Sequence, residues 1–319
     1  MFHRVTRPTL KVVHNLCTKS PARAISNVGF VGLGNMGASM ATNLLKNFNS
    51  VTVFDLNADA VNSLVSKGAK SATTIKEIAE SCDAIVTMLP ATKHVQGVLL
   101  GPDGIFENAK TGTIVIDCST IDPQSSSDLN TAGRAAGMRM LDGPVSGGVT
   151  GAAAGTLTFM VGGADGDLAA AEPIFKSMGT NIVHCGPAGA GEITKLCNNL
   201  ALAISMIGTS EALALGQKLG MDPAKLTEVM NSSTARCWSS DSYNPCPGIM
   251  PNVPASKGYA GGFGSALMLK DLGLAVDAAN GAKANLPLGA SAHQLYNIMC
   301  SHGHDTKDFS YVFEYIKAK

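Results

Sequence analysis

Hydrophobic and polar positions divide the chain into two regimes. In the first, short apolar runs alternate with stretches of helical spacing. Asn27 to Val31 reads as a short buried strand, and comparable runs recur at Val51 to Phe54, Asp83 to Leu89, Thr113 to Asp117, Met138 to Leu141, Leu157 to Val161 and Asn181 to His184. Helical segments are predicted between them: from the glycines after Val31 through Phe48, then at about Ala58 to Lys67, Ile75 to Glu80, Pro123 to Gly137 and Asp167 to Met178. Strand and helix in alternation predict a parallel sheet covered by helices. From Gly191 onward the pattern is almost purely helical. Leu196, Leu200, Ala203 and Ile207 keep a helical period in a run that continues to about Leu219. Pro223 opens another helix, Lys270 to Ala275 lies on a third, and about Phe309 to Ala318 forms a terminal one. The segment Arg236 to Gly264, rich in Pro, Gly and Ser, holds the only tryptophan, Trp238. A connection that long is uncommon unless it is functional, and it could cover a substrate pocket.

Composition narrows the picture. With 319 residues, 45% hydrophobic and 15% charged, the chain has material for two globular domains. No uninterrupted apolar run approaches the roughly 20 residues of a membrane span, so no membrane partner is expected. The eight cysteines show no CxxC spacing, which favours buried thiols in a reducing compartment over disulfides or a metal. The first 26 residues stand apart. They carry Arg4, Arg7, Lys11, Lys19 and Arg23 among Ser and Thr, and no acid occurs before Asp55. That composition predicts an organellar transit peptide, with mitochondrial import as the expectation. Removing those five from the 24 basic residues leaves 19 against 24 acidic residues, a balance of −5. No nucleic-acid partner is expected from that balance.

Chemistry enters first at Gly32-Leu33-Gly34-Asn35-Met36-Gly37, a GxGxxG between a strand and a helix. Gly32 permits the tight turn, Gly34 the approach of a pyrophosphate, and Gly37 close packing of helix on strand. The helix N-terminus then offers N–H groups to the anion. Asp55 ends the second predicted strand. There it can accept from ribose hydroxyls and repel a 2′-phosphate, favouring NAD over NADP, or it can cap the next helix. Together these features predict a Rossmann-type domain at 27–189 and a helical domain at 190–319, joined by a long helix. Later strand ends face the same crevice. Leu89 and Pro90 are candidate floor residues, and His94 follows them. Ser119 and Thr120 can contact cofactor or substrate, or cap the helix from Pro123.

Asp142-Gly143-Pro144-Val145-Ser146-Gly147-Gly148 leaves N–H groups and a hydroxyl exposed, a cradle for a carboxylate or else an ordinary glycine turn. Lys195 and Asn199 are one helical turn apart beside an apolar stripe. A half-buried lysine loses basicity and can exchange a proton near neutrality; the alternative is a lysine reaching to solvent. Lys270 either meets cofactor or substrate, or forms a surface ion pair with a neighbour.

The order of these motifs resembles the β-hydroxyacid dehydrogenase family, in a mitochondrial branch that serves valine breakdown. Gly29 to Gly37, Asp142 to Gly148, Gly186 to Asn199 and Lys270-Asp271-Leu272 carry the resemblance. It implies NAD-dependent oxidation of a 3-hydroxy acid to its semialdehyde in the mitochondrial matrix, by a homodimer or homotetramer. Lys195 would be the acid/base, oriented by Asn199. Ser146, Gly147 and Gly148 would hold the substrate carboxylate. Leu89, Pro90, Thr120 and Lys270 would line the cofactor site. Two positions depart from the family pattern: Gly143 stands for the usual Ala, and His94 for a small amide. The alternatives are a semialdehyde or glyoxylate reductase of the same family, or a non-catalytic dinucleotide-binding interaction module.

Overall fold

A computed structural model describes residues 25–318. The expected transit peptide therefore lies outside the described residues, apart from Ile25 and Ser26.

The parallel strands β1 (Asn27–Val31), β2 (Ser50–Phe54), β3 (Lys70–Ser71), β4 (Ala84–Thr87), β5 (Ile114–Asp117) and β6 (Arg139–Asp142) lie side by side in the order β3-β2-β1-β4-β5-β6. Three more strands extend the sheet: β7 (Val145–Ser146), β8 (Leu157–Gly163) and β9 (Gly179–Gly186). β8 runs antiparallel to β6 and β7 and parallel to β9. The order turns back between β1 and β4, which opens a crevice at the strands' C-terminal ends.

Both faces of the parallel sheet are apolar because both are covered. Val28, Phe30, Val51 and Val53 point into one core, while Val31, Ile85 and Val115 point into the other. In chain order the helices around the sheet are α1 (Gly37–Leu44), α2 (Ala58–Val65), α3 (Ile75–Ser81), α4 (Thr92–Leu100), α5 (Ile105–Asn108), α6 (Pro123–Ala135), α7 (Gly148–Ala154) and α8 (Asp165–Met178). α3 packs so closely on β1 that a Cβ at Gly29 would lie 2.6 Å from Ile78 Cγ2. The helical region comprises α9 (Ala190–Lys218), α10 (Pro223–Ser232), α11 (Trp238–Asp241), α12 (Ser265–Ala282), α13 (Pro287–Met299) and α14 (Val312–Lys317). Its own core gathers Ala203, Met206, Met268, Leu272, Tyr296 and Phe309.

The 29-residue α9 is the joining helix. By length, and by a mean hydropathy of 1.3 over an 18-residue window, it could cross a membrane, although its apolar run is interrupted. Here it packs against β8, α12 and α14 and buries Glu192, Lys195 and Asn199. Its N-terminal turn presses on the sheet: a Cβ at Gly191 would collide with the Met160 carbonyl and lie 2.7 Å from Asp142 Oδ2. Elements with little apolar period, such as α5, α7 and the two-residue strands β3 and β7, are visible only in the structure.

Candidate active site

The glycine turn sits where the crevice opens. Gly32 has φ +96° and donates its N–H to Phe54 O at 3.0 Å, and a Cβ there would strike the Met88 carbonyl. Gly37 lies against the Gly32 carbonyl with no room for a side chain. Around Gly34 a Cβ would meet nothing within 4 Å, so the turn faces open space at the start of α1. That space, the helix N-terminus and the neighbouring carboxylate fit the pyrophosphate and ribose of a dinucleotide. Leu33, Asn35 and Met36 fill the rest of the turn. Asp55 is half-buried beside it. Its Oδ2 accepts from Leu33 N at 2.6 Å and its Oδ1 from Asn57 N at 2.7 Å. The helix-cap alternative for Asp55 is set aside, because Asn57 caps α2. Asp55 braces the glycine turn directly.

The next strand ends lie alongside. Met88 N bonds Val31 O at 2.9 Å, and Leu89 Cδ2 lies 3.0 Å from a would-be Cβ at Gly32; Pro90 follows in the chain. His94 is exposed on α4. Ser119 is fully buried: its hydroxyl accepts from Leu89 N at 2.8 Å and donates to Asp117 Oδ1 at 2.6 Å. It is therefore not free to contact a ligand, nor does it cap α6, a task that falls to Asp122. The same Asp117 oxygen accepts from Thr87 Oγ1 at 2.7 Å and from Ser119 N at 3.1 Å. Burial raises the Asp117 carboxyl to about 6, against the pull of these donors.

Lys195 is 7% exposed on the first turns of α9. Its Nζ donates to Asn199 Oδ1 at 3.2 Å, and Asn199 Nδ2 donates to Asp271 Oδ2 at 2.6 Å. Asp271, 3% exposed, reaches Lys270 Nζ through its other oxygen at 3.2 Å. Lys270 in turn donates to the Thr120 carbonyl at 2.8 Å. One polar chain thus runs from α9 through α12 to the loop after β5, joining helical region to sheet. The surface-pair alternative for Lys270 fails because its acid is buried. The snorkelling alternative for Lys195 fails because its ammonium is paired inside. Burial lowers the basicity of Lys195; Asp271 opposes that fall, as an ionised Glu192 would, and Lys270 adds to it. That fall favours the neutral amine, the form able to accept a proton.

Ser146 ends β7, half-buried, and Gly147 and Gly148 follow with φ +134° and +62°. Only glycine takes both conformations at little cost, so the turn exposes its backbone. Gly143 lies 3.1 Å, by its would-be Cβ, from the Phe175 ring. An alanine there would need that ring to yield slightly. The long connection is ordered by aromatic stacking. Trp238 stacks on Tyr243 at 4.6 Å, and Tyr243 donates to buried Asp308 at 2.9 Å. Asp117, Glu192 and Asp271 take part in this site although no role follows for them from the sequence alone. Their signal is an acid among apolar or small residues: at a strand end for Asp117, in the first turn of a helix one turn before Lys195 for Glu192, and next to Lys270 for Asp271. Among the described residues no group of acids, histidines and cysteines could hold a metal ion.

Two family models match the chain: the NAD-binding domain of 6-phosphogluconate dehydrogenase over residues 27–186, and the NAD-binding domain of NADP-dependent 3-hydroxyisobutyrate dehydrogenase over residues 189–316. A probable mitochondrial 3-hydroxyisobutyrate dehydrogenase of Dictyostelium discoideum is 53% identical, over 91% of this chain and 90% of its own. The NAD-dependent L-serine dehydrogenase of Pseudomonas aeruginosa is 48% identical, over 90% of this chain and 97% of its own. Among solved structures, Mycobacterium tuberculosis 3-hydroxyisobutyrate dehydrogenase with L-serine superposes with a TM-score of 0.88 at 38% identity, covering 92% of this chain and 99% of that one. With both halves of the chain matched in order, it belongs to the 3-hydroxyisobutyrate dehydrogenase family of β-hydroxyacid dehydrogenases, NAD-dependent oxidoreductases.

Proposed function

We propose that the chain oxidises 3-hydroxyisobutyrate to methylmalonate semialdehyde with NAD, in valine breakdown, using Lys195 as the general base. The observation that carries this reading is the buried chain Lys195–Asn199–Asp271–Lys270, which holds a lysine of lowered basicity and ends on the Thr120 carbonyl after β5. Support for the substrate comes from the relatives' names.

The dinucleotide, when bound, supplies the hydride acceptor. Gly32, Leu33, Gly34, Asn35, Met36 and Gly37 would cradle its pyrophosphate, with Asp55 toward the ribose and Leu89, Pro90, His94, Thr120 and Lys270 along its length. Ser146, Gly147 and Gly148 would bind the substrate carboxylate. Neutral Lys195 takes the hydroxyl proton at Nζ as the hydride leaves the carbinol carbon. Asn199 holds that amine in place by accepting one of its N–H groups. Because the neutral amine is the working form, kcat/KM for oxidation rises with pH until Lys195 is deprotonated.

L-Serine is a second reading, since it is also a 3-hydroxy acid and two of the similar proteins are named or shown with it. A panel of 3-hydroxy acids, each assayed with NAD and NADP, separates the two. The highest kcat/KM is expected for 3-hydroxyisobutyrate with NAD. A higher value for L-serine would transfer the assignment, and preference for NADP would remove the role of Asp55.

The domain division at 189/190 and residence in the matrix belong to the same proposal. Mitochondrial relatives support the latter. A tagged full chain should reach the matrix and a chain beginning at Asn27 should not; equal import would refute targeting by the first segment. Exposed Leu215, Leu219 and Leu288 support a homodimer or homotetramer, to be read from the sedimentation mass.

A further inference from the structure

We propose that Glu192 is a positioning residue for this reaction: held as a neutral carboxylic acid, it fixes the Thr120–Ile121 backbone and keeps negative charge away from Lys195. The proposal rests on Lys195 being the base. Glu192 lies in the first turn of α9, one turn before Lys195, and is 0% exposed. Its Oε2 accepts a single bond, from Ile121 N at 3.3 Å, and its Oε1 has no partner. Ile121 follows Thr120, whose carbonyl accepts from Lys270. Glu192 therefore steadies the peptide on which Lys270 docks.

The groups facing Glu192 decide which acid keeps a proton. From β5 and its end come Asp117 and Cys118, from β6 Asp142, from α12 Lys270, and from its own helix Lys195. Asp142 accepts from Gly189 N at 2.8 Å and from Glu192 N at 3.2 Å, and Asp117 accepts three donors on one oxygen. Each accepts more donors than Glu192, which has one long bond, although Asp117 Oδ2 is unpartnered too. Burial, then Asp117 and Asp142, push the Glu192 carboxyl well above its ordinary range, against weaker help from Ile121 N and Lys270. The proton therefore settles on Glu192. An ionised Glu192 would favour protonated Lys195 and oppose its work as a base. A neutral one leaves the effect of burial on Lys195 in place.

Two measurements test this. The infrared spectrum of the wild type near pH 8, minus that of Glu192→Gln, should contain a protonated-carboxyl stretch that shifts in D₂O. Its absence would overturn the proposal. In the pH profile of kcat/KM, Glu192→Gln should move the apparent ionisation of the base by less than about 0.3 unit, because one neutral group replaces another. A fall of about one unit or more would show that an anion had been removed, and the proposal fails. Glu192→Leu, which cannot accept from Ile121, should raise the KM for NAD roughly tenfold, the effect of losing about one hydrogen bond's worth of positioning. Glu192→Gln should restore it; no rise in Glu192→Leu contradicts the positioning role. The infrared result does not depend on turnover, so it still judges Glu192 if Lys195 proves not to be the base.

Discussion

At the scale of single residues, burial is what turns ordinary side chains into chemistry. Lys195 and Asp117 are both held inside, and each is pushed toward its neutral form. For Asp117 this has a measurable cost. Its folded-state value of about 6 lies above the ordinary 3.8, so the folded protein binds a proton that the unfolded chain has released between those values. Stability from this group is complete below about pH 4 and is lost as pH rises through about 6, by about 3 kcal/mol at most. Asp117→Asn keeps an acceptor for Thr87 and Ser119 and cannot titrate. Urea midpoints from pH 4 to 7 should show a fall in the wild type that is shallower in the variant; parallel curves would contradict the shift.

At the scale of elements, the site is made by where helices begin and strands end. The first turns of α9, from which Lys195 projects, can touch β8 and the end of β6 only because residue 191 is a glycine. Gly191→Ala gains helix propensity but drives a methyl into the Met160 carbonyl and Asp142, so a net loss of about 2 kcal/mol or more is expected by thermal unfolding. An unchanged Tm would mean the approach is looser. This contact was not legible in the chain. What was legible were features with strong local codes: the apolar runs of β1, β2 and β5, the glycine turn, and the turn-spaced pair Lys195 and Asn199. Short elements such as β7 and α7 lack a periodic code, and tertiary pairing makes them. Asp55 shows the limit at one residue. Its place at the strand end was readable, but its grip on Leu33 N and Asn57 N depends on the folded turn. Asp271 was in view beside Lys270, yet nothing local says that its carboxylate meets Asn199, 72 positions away in sequence.

At the scale of the whole molecule, a sheet and a helical bundle meet along one polar chain, from Lys195 through Asn199, Asp271 and Lys270 to Thr120. On the proposed reading the sheet binds the dinucleotide and the bundle carries the base, so binding and turnover should be separable. Lys195→Met separates them most directly, since it keeps length and helix propensity and removes only the titrating amine. The decisive measurement is turnover of the folded variant, beside its NAD affinity and the pH profile of its residual activity. With Lys195 as base, NAD affinity and Tm stay near wild type, turnover falls by about 10²–10⁴, and the rise of kcat/KM with pH disappears. Near-normal turnover in a folded, NAD-binding Lys195→Met protein would contradict that role.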